Sequence, residues 1–110
     1  MKLPNREQAV VAVAKLREYL LNIEHRRGGT KARLFAQFGY DRGNWRRLES
    51  DIRMCHLTAD VDAKRRTPYG MRYEIHAPLQ TPSGRELMVR TIWQIDDGTE
   101  FPRLITVIPD

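Results

Sequence analysis

Cysteine is almost missing: of 110 residues only Cys55 carries a thiol. A single thiol excludes an intramolecular disulfide framework and any cysteine-cluster metal site. No apolar run approaches the ~20 residues of a membrane span. The opening Met1-Lys2-Leu3-Pro4-Asn5 lacks the hydrophobic stretch of a signal peptide. Cytoplasmic residence without membrane contact is therefore the expectation. The three histidines, His25, His56 and His76, are scattered without zinc-ligand spacing. No Gly-x-Ser-x-Gly nucleophile elbow occurs, and no repeat or low-complexity tract. These absences predict a protein without metal or cofactor.

What is present reads as one globular domain over 1–110, with 41% hydrophobic and 30% charged residues. The formal charge is +5, and it is unevenly placed. Residues 1–55 hold 12 Lys/Arg against 6 Asp/Glu, and residues 56–110 hold 7 against 8. Arginine pairs at Arg26-Arg27 and Arg46-Arg47, with the later cluster Lys64-Arg65-Arg66, suggest a polyanionic partner, either RNA or an acidic protein. The plainer reading is a solvated basic surface.

The first half has helical periodicity. Val13, Leu16, Leu20 and Ile23 form one apolar stripe, predicting a helix near 12–22. The β-branched Val10, Val11 and Val13 leave a short strand over Ala9–Val13 as the alternative. Thr30 is the expected N-cap of a second helix through Phe38, closed by Gly39. Asn44 is the expected cap of a third, with Trp45, Leu48, Ile52 and Cys55 on its buried stripe. The second half alternates with period two: Met71 to Ala77, Leu87 to Ile95, and Leu104 to Ile108. Turn chemistry separates these runs at Thr81-Pro82-Ser83-Gly84 and Asp96-Asp97-Gly98. Residues 58–68 read either as a strand near Ala59–Ala63 or as a basic loop. The fold class is α+β: about three N-terminal helices on one face of an antiparallel meander of three to four strands. Matching like with like pairs Ile75 with Val89, Tyr73 with Thr91, Met71 with Trp93 and Ala77 with Leu87. That register sets Glu74 opposite Arg90 and His76 opposite Met88. On the next strand Trp93 meets Leu104, Thr91 meets Thr106, and Arg103 lies opposite Gln94.

Two constellations carry chemistry. The polar sheet face collects Arg72, Glu74, His76, Arg90 and Arg103. A base, an acid and cations are what metal-free RNA cleavage requires. The plainer reading is a solvated face of cross-strand ion pairs, although Ile92 and Met88 on that face suggest that part of it is covered. The second constellation is His25-Arg26-Arg27-Gly28-Gly29-Thr30-Lys31, where a glycine pair runs into a helix start that favours anions. There His25 is the expected proton carrier, and the alternative is a basic interhelical loop. The glycine spacing is not that of a P-loop. Cys55, Trp45 and Trp93 fall on apolar stripes and read as core.

Several strings resemble a small bacterial domain family of unknown function. They are Lys15-Leu16-Arg17-Glu18-Tyr19-Leu20-Leu21-Asn22, then His25, Gly28, Lys31-Ala32-Arg33-Leu34-Phe35 and Gly39-Tyr40. The second half adds Tyr69-Gly70-x-x-Tyr73, Gly84-Arg85, Val89-Arg90-Thr91-x-Trp93 and Phe101-Pro102-Arg103-Leu104. Similar sequences occur alone and as C-terminal modules of toxin-like and phage proteins. The layout is similar to the metal-independent RNase superfamily that includes barnase and RelE-type toxins. The resemblance points to His25, Gly28 and Lys31, and to Arg90, Thr91, Trp93 and Arg103. Relatives carry a proline after the histidine where this chain has Arg26-Arg27-Gly28-Gly29, which implies a looser loop.

The leading expectation is a ribonuclease-like toxin module acting through His25, Lys31, Glu74, His76, Arg90 and Arg103. RNA contacts would come from Arg26, Arg27, Arg46, Arg47, Lys64, Arg65 and Arg66. The alternatives are a non-catalytic basic module binding RNA or an acidic antitoxin-like protein, and an inactive relative that keeps only the scaffold.

Overall fold

The computed structural model describes residues 1–110. It is α+β, with helical segments first and one four-stranded antiparallel sheet second. A 3₁₀ turn (Arg6–Gln8) leads to a π-helical segment (Lys15–Leu20), helix α1 (Gly29–Gln37), a 3₁₀ turn (Arg42–Asn44) and helix α2 (Trp45–His56). Strands β1 (Ala63–Thr67), β2 (Gly70–Gln80), β3 (Glu86–Asp96) and β4 (Arg103–Pro109) follow in spatial order β1-β2-β3-β4. No helix is long and apolar enough to cross a membrane.

The first helix departs from its expected stripe. Leu21 N–H donates to the Leu16 carbonyl five residues back, the bond of a π turn. The wider turn brings Leu16, Leu20 and Leu21 inward together. It leaves Val13 and Ile23 exposed, both of which the α-helical period places in the core. Val10 is no part of a helix. Its backbone bridges Arg103 and covers the start of the β4 edge. Gly28, not Thr30, precedes α1, which buries Ala32 and Phe35. Gly39, at φ 97°, closes it as the left-handed residue expected there. Asp41 and Asn44 exchange side chain-to-backbone hydrogen bonds as a capping box ahead of α2.

Within the sheet, β2 and β3 slide by two residues from the expected pairing. Ile75 faces Thr91, Tyr73 faces Trp93, Ala77 faces Val89 and His76 faces Arg90. An even slide keeps every side chain on its face, so the apolar pattern does not distinguish the registers. Continuation through Pro78 decides it, because Leu79 then meets Leu87. β1 ends opposite Glu74, so β2 is an edge strand beyond that point and tolerates a proline. Between β3 and β4 the expected pairs Trp93–Leu104 and Gln94–Arg103 form, but Thr91 faces Val107, not Thr106. A bulge at Ile105 absorbs the extra residue. It turns both Leu104 and Val107 inward, although their odd spacing would put them on opposite faces of a regular strand. In the segment 58–68 the strand forms at Ala63–Thr67, the exposed edge strand β1, and not at Ala59–Ala63 as expected.

The core lies between the helices and one sheet face, around Trp93, Phe35, Leu16, Leu48, Ile52 and Ile75. A polar chain runs through it. The Trp93 indole N–H donates to Thr91 Oγ1 (2.9 Å), and Thr91 Oγ1 lies 2.7 Å from His56 Nδ1. His56 Nε2 donates to the Ala77 carbonyl at 3.0 Å. That donation puts the ring proton on Nε2, so the threonine hydroxyl donates to Nδ1 and every polar atom is satisfied. Burial pushes the His56 pKa down to about 4.

Candidate functional site

The outward sheet face is organised in rows by the register. One row reads Ala63–Glu74–Ile92–Thr106 across the four strands. Arg65–Arg72–Gln94–Arg103 flanks it on one side, and His76–Arg90–Ile108 on the other. Over these rows lies a cavity of about 330 Å³. Its basic and acidic walls include Lys64, Arg65, Arg72 and Glu74, and Thr106 lies at the β4 side. Its apolar surface comes from Ile92, Ile105 and Ile108, with Ala63 and Tyr73.

A second cluster forms where the π-helical segment meets α1. The Tyr19 ring packs edge-on against His25, with centroids 4.9 Å apart. Lys31 Nζ lies 5.4 Å, and Lys15 Nζ 5.7 Å, from the centre of the same ring. Lys31 also donates to the Tyr19 hydroxyl (3.4 Å) and to Thr106 Oγ1 (3.0 Å). Thr106 lines the sheet cavity, so this contact joins the helical cluster to the sheet face.

His25 is held firmly, contrary to the looseness that two glycines imply. Its Nδ1 accepts the backbone N–H groups of Arg27 (3.0 Å) and Gly28 (2.9 Å). The glycines serve close packing: a Cβ on Gly28 would sit 2.5 Å from the Tyr19 carbonyl oxygen, and one on Gly29 2.7 Å from that of Ile23. With Nδ1 occupied by two donors, the neutral ring carries its proton on Nε2. In that tautomer Nε2–H is the ring donor that the loop does not use.

The remaining candidates divide. Glu74 accepts from Arg90 Nη1 at 3.4 Å, through the two-residue slide and not through direct opposition. Arg90 Nε is buried without a hydrogen-bond partner. His76 pairs with the Asp110 carboxylate, and its backbone N–H donates to Asp62. It is thus turned from Glu74 toward the end of the face. Arg103 forms a two-pronged pair with Asp96 (2.6 and 3.2 Å) and does not line the cavity. The Arg103 hydrogen bond holds the Asp96 carboxyl below its ordinary range, and the same bond raises the Arg103 pKa. Arg72 reaches Gln94 Oε1 (2.8 Å) and keeps an open side on the cavity.

Among the basic clusters, Arg26 and Arg27 are exposed beside His25. Lys64 and Arg65 line the cavity, whereas Arg66 turns to Asp97. Arg47 is bound to Asp51 (2.9 Å). That carboxylate also accepts from the buried Tyr40 hydroxyl (2.5 Å), and burial together with this bond raises the tyrosine pKa. Arg46 stacks on Trp45, 4.5 Å from its ring centre. Sequence reasoning missed Tyr19, Lys15 and Thr106. The first two sit four residues apart, a helical-face signal, but Thr106 reads as strand filler until the bulge is known.

The fold recurs among solved structures. A chain of a contact-dependent growth inhibition toxin–immunity protein complex from Klebsiella pneumoniae 342 superposes with a TM-score of 0.68. The match covers 92% of this chain and 99% of that one at 19% identity, a likeness of fold. No curated protein matches. With a family pattern matching residues 2–110, the chain belongs to the family described as a domain of unknown function (DUF6883).

Proposed function

We propose that the outward sheet face binds RNA and cleaves its phosphodiester backbone without a metal ion, as a ribonuclease-like toxin module. The observation that carries this reading is the Lys31 Nζ–Thr106 Oγ1 contact of 3.0 Å. It sets a cation against the Thr106 hydroxyl, which lines a cavity that also holds Glu74 and Arg72, and the same lysine reaches Tyr19, whose ring packs on His25. The partnerless Arg90 Nε beside Glu74 supports an anion on this face. The fold shared with a chain of a toxin–immunity complex supports the toxin part.

Glu74 and Thr106 lie two strands apart, roughly 10 Å between backbones at ordinary strand spacing. A scissile phosphate fits between them. Glu74 takes the proton of the ribose 2′-hydroxyl, and the 2′-oxygen attacks phosphorus. Lys31 and Arg90 balance the charge that develops on the phosphorane oxygens, and His25 supports Tyr19 beside Lys31. The P–O5′ bond breaks, the 5′-oxygen takes a proton from Lys31, and a 2′,3′-cyclic phosphate remains. His76, bound to Asp110, and Arg103, bound to Asp96, act outside this step as parts of the scaffold.

Purified protein incubated with total RNA and a magnesium chelator is expected to yield fragments with cyclic-phosphate ends. Lys31→Ala is expected to slow cleavage by about 10²-fold. Intact RNA after prolonged incubation overturns the reading. A second reading follows from the Glu74–Arg90 and His76–Asp110 pairs, which occupy the two acid–base candidates of the sheet face. It is a non-catalytic module for RNA or an acidic protein, recognised by steeply salt-dependent binding without product.

A further inference from the structure

Three isoleucines on a charged sheet face serve no core. Ile108 is 40% exposed and sits beside Thr30, Lys31 and Leu34 of α1, while Ile92 and Ile105 are half-buried on the outward sheet face. All three line the 330 Å³ cavity. A solvated face of ion pairs has no use for such a patch, because exposed apolar area in one place marks something that covers it. The walls around it are cationic: Lys64 and Arg65 have no carboxylate partner, and Arg72 is bound only to the neutral Gln94. The volume is at the lower end of the ~300–1,000 Å³ typical of small-molecule sites. An apolar floor with guanidinium walls suits a flat heteroaromatic ring attached to an anion.

We infer that this cavity receives one unstacked nucleobase, with its phosphate held at the rim by Lys31 and Thr106, so that the ligand is single-stranded and not duplex RNA. The inference rests on the RNA reading above and narrows its substrate class. The base lies on Ile92 and Ile108, and the planar Arg72 and Arg65 heads offer it stacking surfaces. A base paired within a helix is already stacked and cannot enter without being extruded, which costs free energy. The backbone cations act on either form, whereas the isoleucine floor acts only on an open strand.

The test uses a short 2′-O-methyl RNA strand, which cannot be cut through its 2′-oxygen, and the same strand in a duplex. Fluorescence anisotropy is expected to show the single strand bound about tenfold more tightly. Ile108→Ser, on an exposed strand position, is expected to remove most of that preference. Ile92→Thr, which keeps the branched shape, is expected to act in the same direction. Lys31→Ala is expected to weaken both forms. Equal affinity for the two forms, or a preference that survives both isoleucine changes, overturns the pocket. Binding to neither form overturns the pocket and the RNA reading together. A cleavage assay on an unmodified hairpin separates the two ideas. Equal cutting of stem and loop removes the pocket and keeps the nuclease, and single-strand preference without cutting keeps the pocket and removes the nuclease.

Discussion

His56 shows how one buried side chain sets a response of the whole chain. Its ring is fully buried and neutral, with a hydrogen bond at each nitrogen. In the unfolded chain it takes a proton near its ordinary 6.5, but in the folded protein only near about 4. Between those values the unfolded state binds more protons, so stability is fully present above about pH 6.5 and falls as the pH drops toward 4. The loss amounts to about 3 kcal/mol. Thermal melts at stepped pH are expected to show this slope, and His56→Gln is expected to remove most of it while lowering Tm at neutral pH. A wild-type Tm that stays flat from pH 7 to pH 4.5 contradicts the account. The sequence alone does not reveal this residue. Three scattered histidines look alike until packing shows that one faces Thr91 and Ala77, one caps its own loop, and one meets Asp110.

Among the elements, α2 is the best defined by local chemistry. Asp41 and Asn44 satisfy one another's backbone N–H groups before the helix begins, and Asn44 Nδ2 also donates to the Gly39 carbonyl (2.8 Å). Asp41→Ala is expected to cost about 1 kcal/mol, or about 4–8 °C in Tm. The double variant Asp41→Ala/Asn44→Ala is expected to cost less than the sum of the two single changes, because each removes the same reciprocal pair. Calorimetry on the three variants checks this, and strict additivity would contradict a coupled box. Existence and order of the elements were legible from periodicity. Their fine geometry was not, for identifiable reasons. The π turn moves Val13 and Ile23 out of the core without altering the composition of the segment. The β2–β3 slide is even, so it is invisible to any in–out pattern. Glu74, Arg90 and Arg72 were readable as members of one face. The link from Lys31 to that face was not, because it depends on where β4 sends Thr106.

At the scale of the molecule, some cations are matched by carboxylates and a group of unmatched ones meets at the sheet cavity. Arg42, Arg47, Arg53, Arg66 and Arg103 each meet a carboxylate. Lys15, Lys31, Lys64, Arg65 and Arg72 do not, and they surround Tyr19 and the sheet cavity. The excess positive charge of the first half thus reaches the sheet through α1 and joins cations of the second half. Lys64→Ala/Arg65→Ala is expected to reduce the slope of log affinity against log salt for RNA by about one to two ions. Arg47→Ala is expected to leave that slope unchanged, because its charge is already matched by Asp51 at 2.9 Å. Salt titrations of the two variants distinguish a focused site from a diffuse basic coat. An equal effect of both favours the coat.

The bulge at Ile105 has an implication for genetic dissection. Leu104 and Val107 point one way and Thr106 and Ile108 the other because β4 holds one residue more than its neighbour needs. That arrangement is written in chain length, so replacing side chains one by one along this strand would leave it untouched. A one-residue excision or insertion just outside the bulge would rotate the Lys31 acceptor away while leaving Lys31 and Thr106 themselves chemically unaltered.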